Sequence, residues 1–408
     1  MGLLSDIFDD DGIFHRHKKF SPNYDGEIYG TTHDDEINYK SSWDDWDKLY
    51  VYADRGDDEV DFSDSRYRVK ISGDRGDDTL KGGRKDDDIY GDKGRDKLYG
   101  NKGDDNIWGG NDDDYINGGD DDDLLRGERG DDTIRGGNDE DTLYGAKGED
   151  NLYGDNGDDK IYGEDGNDLI YGGKGKDTIY GGYGNDTIYG GKGNDDIKCE
   201  QGKNLVHADA GNDKVYDGKA KDTIYAGSGN DKIYLKKSNA NKVYAESGNN
   251  TIYCDTSKNN IFLGSNIDTV EFGSRSKNSI IRFTNKNSSL ILKFENEDIT
   301  ATQSGKTVKI TCGSNTVTVK NYVKGGGSFK VKHGDRTETI EKILNPQPQN
   351  MAAFKSFKST NSVAVINQEV AAWKTANANS DMQALVDANT TNEMPDVTAA
   401  FVDANKMV

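Results

Sequence analysis

The sequence predicts an all-β chain: a parallel β-roll (a β-helix or solenoid) of nonapeptide repeats, then a small antiparallel β cap and a C-terminal helical tail. Three observations carry this expectation. A nine-residue period holds from Gly73 to Tyr234. One aliphatic residue recurs at the same place in every unit. The composition is too glycine-rich and too poor in apolar residues for an ordinary packed domain.

The period is read by stepping nine residues from Gly73. Position six runs from residue 78 to residue 231, eighteen places, and seventeen are Asp, the exception being Asn204. Position eight, from Leu80 to Ile233, is always Leu, Ile or Val, while Gly fills position one in fourteen units and position four in thirteen. Glycine at these two positions permits positive φ and close backbone approach, as a tight loop requires. Strand alternation points the position-eight side chain inward and its neighbour outward. That neighbour is Tyr at 90, 99, 144, 153, 162, 171, 180, 189, 216, 225 and 234, so parallel stacking predicts two outer tyrosine ladders. β-Propensity and packing account for such ladders; a glycan- or protein-binding stripe is the alternative.

Composition restricts the partners. Of 408 residues 50 are Gly, 32% are hydrophobic, and the formal net charge is -23. Such values alone predict disorder, against which stand 22 Tyr. Phosphate recognition needs basic patches, so nucleic acid is not an expected partner. Cys199, Cys254 and Cys312 have no C-x-x-C spacing, which argues against thiolate metal sites and a disulfide framework. MGLLSDIFDDDGIF has no basic n-region and no long apolar run, so a cleaved signal is not expected, and no stretch has the length of a membrane span.

The stretch GGKGKDTIY-GGYGNDTIY-GGKGNDDIK (172–198) resembles the RTX (haemolysin-type calcium-binding) family, and looser copies extend the resemblance over about residues 24–280. It implies one turn per two repeats, each repeat giving a six-residue loop and a three-residue strand. Calcium is the implied cofactor, lying between loops eighteen residues apart. The expected side-chain ligands are Asp78, Asp87, Asp96, Asp105, Asp114, Asp123, Asp132, Asp141, Asp150, Asp159, Asp168, Asp177, Asp186, Asp195, Asp213 and Asp231. Expected carbonyl ligands are Gly145, Gly154, Gly163, Gly172, Gly173, Gly175, Gly181, Gly182, Gly184, Gly190, Gly191 and Gly193. Carboxylates with carbonyls suit Ca²⁺, and the gaps would hold up to about 14 ions.

The loops form two rows. The row starting at Gly73 meets CEQGKN (199–204) and DGKAKD (217–222), which break the pattern; the row starting at Gly82 continues through ADAGND (208–213) and AGSGND (226–231). Lys85, Asp112, Asp121 and Asp139 replace the position-four glycine. Asp tolerates left-handed backbone, whereas Lys85 puts its own site in doubt. Two aliphatic side chains per turn cannot offset the ordering of its backbone, so metal is expected to supply much of the folding free energy. Cys199 and Cys254, three turns apart at roughly 14 Å, lie too far apart to bridge.

The ends differ. Residues 1–23 precede the roll, and 24–72 read as its degenerate start, with Trp43 and Trp46 shielding the end. After the calcium-binding roll of 73–234, Asp gives way to Asn, and 235–280 read as an ion-poor continuation. Residues 281–344 alternate like amphipathic strands, resemble the β-rich module that follows RTX repeats, and would cap the open edge, with Gly325-Gly326-Gly327 as a turn. Residues 345–350 form a linker. The Ala-rich, Gly-free segment 351–408, with Val363, Ile366, Val370 and Trp373 at helical spacing, looks like the uncleaved signal read by type I secretion machinery; a small helical partner-binding domain is the alternative.

An enzyme is not expected. H-E-x-x-H and G-x-S-x-G are absent, and His15, His17, His33, His207 and His333 form no cluster in the sequence. The expectation is a secreted or surface-associated calcium-binding structural protein that folds on meeting extracellular calcium. The alternative is an adhesin or matrix component gripping a cell-surface glycan or protein.

Overall fold

In the computed structural model, residues 22, 26–39 and 48–344 are described, apart from 239, 286–287, 295–298, 314, 324–327 and 334–335. The expectations for residues 1–21, Trp43 and Trp46, the turn at Gly325-Gly326-Gly327, the linker 345–350 and the tail 351–408 fall outside the described residues.

Alternating aliphatic and polar residues build two parallel sheets that face each other across the roll. Each strand pairs with the strand two units on. Thr142–Lys147 lies beside Lys160–Asp165 with Leu143 opposite Ile161, while Asn151–Asn156 lies beside Leu169–Lys174 with Leu152 opposite Ile170. The offset is eighteen residues, so alternate loops stack directly. One inserted residue at 236–241 lengthens it to nineteen, pairing Ile224 with Val243. The start is looser: Val60 pairs with Leu80 and Ile37 with Val60, offsets of twenty and twenty-three.

The core is two files of single side chains. Leu125, Leu143, Ile161 and Ile179 on one sheet, and Ile134, Leu152, Ile170 and Ile188 on the other, are fully buried. The outward position-nine residues stack as expected, with Tyr144, Tyr162 and Tyr180 centred 4.7 and 4.8 Å apart.

Two local features differ from the sequence expectation. Most strands between Asp88 and Lys174 are six residues long rather than three, because positions two and three also pair in register, as Gly119 with Gly137. Position-one glycines do not need positive φ; the left-handed residues are at positions two and four, including Asp112, Asp121 and Asp139 at φ 76, 79 and 76. The position-one glycine is instead required by contact. A Cβ on Gly163 would collide with both the Asp168 carboxylate and the Gly181 carbonyl.

The parallel stack also runs past 280. Ile267–Phe272 pairs in parallel with Ser289–Phe294, which pairs in parallel with Phe329–His333. The cap is antiparallel within its own hairpins, Ile299–Ser304 with Thr307–Cys312 and Phe329–His333 with Arg336–Thr339. Its strands thereby cover the last turn of the roll, and the short helix Ile340–Leu344 follows.

Gly163→Ala should therefore lower stability in saturating calcium by about 1–3 kcal/mol, the usual effect of overpacking. An unchanged thermal midpoint would contradict the close approach assigned to position one.

Candidate metal centre

The loops put the position-six carboxylates at the corners of the roll, out of water. The sixteen expected aspartate ligands are each at most 3% exposed. One oxygen, Oδ1, is held by backbone: the Asp141 N–H donates to Asp159 Oδ1 at 2.9 Å and the Asp159 N–H to Asp177 Oδ1 at 3.0 Å. Each carboxylate thus ties its own turn to the one before.

The other oxygen, Oδ2, is buried without a hydrogen-bond partner in every expected ligand except Asp87. It faces more acceptors. A Cβ on Gly172 would meet Asp177 Oδ2 and the Gly190 carbonyl together, as one on Gly154 would meet Asp159 Oδ2 and the Gly172 carbonyl. Carboxylate and carbonyl oxygens converging away from water require a cation or a proton between them.

The asparagine loops show what neutralises such a cradle. Asn204 keeps the backbone contact, its Oδ1 accepting from the Asp186 N–H at 2.8 Å. Its Nδ2 then donates to the carbonyls of Cys199 and Gln201, positions one and three of its own loop, at 2.7 and 3.2 Å. Asn250 repeats this, accepting from the Asp231 N–H at 2.8 Å and donating to the Ala245 carbonyl at 2.6 Å. Where aspartate directs a bare oxygen at acceptors, asparagine directs a donor, and the loop is closed without metal.

The orphaned oxygens follow the two rows. In the first they end at Asp186, because Asn204 is self-satisfied and Asp222 Oδ2 accepts from the Gly218 N–H at 2.8 Å. In the second they continue through Asp195, Asp213 and Asp231. Asp87, in the Lys85 loop, differs from the other expected ligands: its Oδ2 accepts from the Gly83 N–H at 2.5 Å. Asp58, which the nine-residue step did not reach, joins the set with a buried, unpartnered Oδ2. Its signal was ADRGDDEVD (53–61), a nonapeptide displaced by the longer turn that follows it.

Among the described residues, no three Asp, Glu, His or Cys side chains converge as a metal site. Any ion here needs backbone oxygens as well, which is the preference of Ca²⁺ and not of zinc. The asparagine contacts single out the position-one carbonyls, those of Gly145, Gly154, Gly163, Gly172, Gly181 and Gly190, as oxygens facing the position-six head group. The position-two carbonyls of Gly182 and Gly191 already accept the N–H groups of Gln201 and Ala210 at 2.9 Å each, and Gly173 pairs in the same ladder. Those of Gly175, Gly184 and Gly193 face the position-four glycine of the next turn. Cys199 and Cys254 are buried and unbridged, consistent with their predicted separation, and Cys312 is buried.

Burial drives the electrostatics. Desolvation, with the neighbouring carboxylates adding to it, pushes Asp159 up to about 6, Asp177 to about 7, Asp150 to about 8 and Asp141 to about 9. A carboxyl raised in this way binds its proton more tightly folded than unfolded. The metal-free fold is therefore favoured at acid pH and loses stability as pH rises from about 4, where unfolded aspartates ionise, to the raised values of the folded ones. A bound cation competes with those protons, so its affinity rises over the same window. By circular dichroism the chelated protein should hold more β structure at pH 4 than at pH 8; equal spectra at the two pH values would contradict the desolvated-carboxylate site. Asp177→Asn should fold in calcium while binding fewer ions by elemental analysis, because its amide would close the loop as Asn204 and Asn250 do. An unchanged ion count would remove Asp177 from the ligands.

The RTX calcium-binding nonapeptide repeat family matches residues 72–107, 94–125, 117–152, 135–170, 144–179, 162–197 and 200–233. A solved structure described as a hyperactive, Ca²⁺-dependent, β-helical antifreeze protein from an Antarctic bacterium is similar at 15% identity and a TM-score of 0.27, covering 86% of this chain and 100% of its own. No curated protein matches the chain. Residues 72–197 and 200–233 thus match RTX calcium-binding nonapeptide repeats, and they form a β-roll lined by rows of buried, half-satisfied carboxylates.

Proposed function

We propose that this protein is exported, folds when it meets extracellular calcium, and then serves as a structural or surface element. The observation that carries the reading is the file of buried Oδ2 atoms from Asp58 to Asp231. Such a chain is poorly suited to fold where free calcium is scarce and well suited where it is millimolar, the range of extracellular modules at about 10⁻⁴–10⁻³ M. Export through type I secretion machinery, guided by the segment 351–408, belongs to the same proposal. A structural rather than catalytic role fits a fold whose described residues are given to roll and cap.

Adhesion through aromatic stacking finds little support in the ladders. From Tyr153 to Phe262 successive rings lie 4.5–5.1 Å apart and within 11° of parallel, so each face covers the next. Arg135 and Arg282 lie over the two end rings at 5.0 Å. Ring edges and hydroxyls are what the ladder presents outward. No helix among the described residues is long and apolar enough to cross a membrane.

Adding calcium to the chelated protein should raise the β content of its spectrum at the expense of coil, reversibly. Magnesium should substitute poorly because it requires stricter octahedral geometry. A β spectrum that is indifferent to calcium would refute the reading.

A further inference from the structure

We propose that the tyrosine ladders are sites of oxidative cross-linking, in which stacked tyrosines of successive turns are joined as dityrosine. The proposal rests on the calcium-dependent fold, since the roll alone brings these residues together. Tyr153, Tyr171 and Tyr189 stack at 5.1 and 4.7 Å, with interplanar angles of 3° and 6°. On the other sheet Tyr144, Tyr162 and Tyr180 stack at 4.7 and 4.8 Å, and Tyr216, Tyr234 and Tyr253 at 4.6 and 4.7 Å. All are partly exposed on the outer faces of the sheets.

In-register parallel strands repeat one side-chain orientation from turn to turn, so each ring lies over its neighbour. The ortho carbons of successive phenols thereby face each other, held by the backbone ladder, and coupling is intramolecular. A haem peroxidase with hydrogen peroxide supplies the oxidation. Each phenol loses one electron and one proton, and the peroxide is reduced to two waters. The two phenoxyl radicals join through their ortho carbons, and the hydrogen on each joined carbon moves to the phenolic oxygen to restore both rings. The product is a covalent clamp between adjacent turns, parallel to the clamp that calcium provides at the loops.

The ladders also say where cross-links stop. Lys198 stands between Tyr180 and Tyr216, with its ammonium 4.0 Å from the Tyr180 ring centre. His207 stands between Tyr189 and Tyr225, stacked on both at 4.9 and 4.7 Å. Dityrosine should therefore join Tyr153–Tyr171, Tyr171–Tyr189 and Tyr225–Tyr244, but neither Tyr180–Tyr216 nor Tyr189–Tyr225.

The test treats the full chain, in calcium and in chelator, with peroxidase and hydrogen peroxide, and maps dityrosine peptides from the monomer by mass spectrometry. Circular dichroism records the fold of each sample. In-register links in the folded sample, lost in the unfolded one, are expected. Tyr171→Phe should lose both links to residue 171 and keep Tyr144–Tyr162, and the cross-linked wild type should retain β structure after calcium is chelated. Folded protein that yields no dityrosine, or yields Tyr180–Tyr216 as readily as Tyr162–Tyr180, overturns the proposal. Should the chelated sample remain folded and give the same links, the cross-linking stands and the calcium dependence of the fold fails.

Discussion

The structure depends on one costly arrangement: two columns of carboxylates buried at the corners of a narrow roll. Each carboxylate uses one oxygen to hold the preceding turn, and all but Asp87 and Asp222 leave the other among carbonyls without a donor. Buried acceptors facing acceptors are unfavourable unless a positive charge lies between them. The hydrophobic core cannot offset this cost, being only one side chain deep on each sheet. On the proposed reading, folding and cation binding are therefore one event here.

Asparagine is the counter-example within the same chain. Asn204, Asn250 and Asn259 keep the buried head group and direct an amide nitrogen where aspartate directs an oxygen; Asn259 Nδ2 donates to the Thr256 carbonyl at 3.0 Å. Asp217 marks the change between the two regimes. It accepts three successive N–H groups, from Lys236, Lys237 and Ser238, and so anchors the inserted residue. Past Asp231 the roll is closed by hydrogen bonds and then by hairpins. One backbone design thus contains turns with an orphaned carboxylate oxygen and turns closed by an amide or a backbone N–H.

Much of this was legible because the repeat is strict. The aliphatic file and the break of the first row at Asn204 and Asp222 appear as residue types in a fixed register, and the eighteen-residue offset is what the family resemblance implies. What was not legible depends on direction and contact. Glycine at position one looks like a left-handed residue, yet it is there because Asp Oδ2 and a carbonyl occupy the space of its Cβ. Asp58 escaped the count because its turn is two residues longer than those that follow. The loss of Asp after residue 231 indicated fewer ions, but only geometry shows the amide standing in for the cation. Asp87 matched the repeat, and only its hydrogen bond to Gly83 removes it from the orphaned set.

Hydrogen exchange, resolved turn by turn on the calcium-saturated and the metal-stripped chain, tests the central claim most directly. Stripping should abolish protection in the aspartate turns between Asp78 and Asp231 and leave it in the asparagine turns and hairpins from Asn241 to Leu344. Protection that survives in the aspartate turns after the metal is gone would contradict the account.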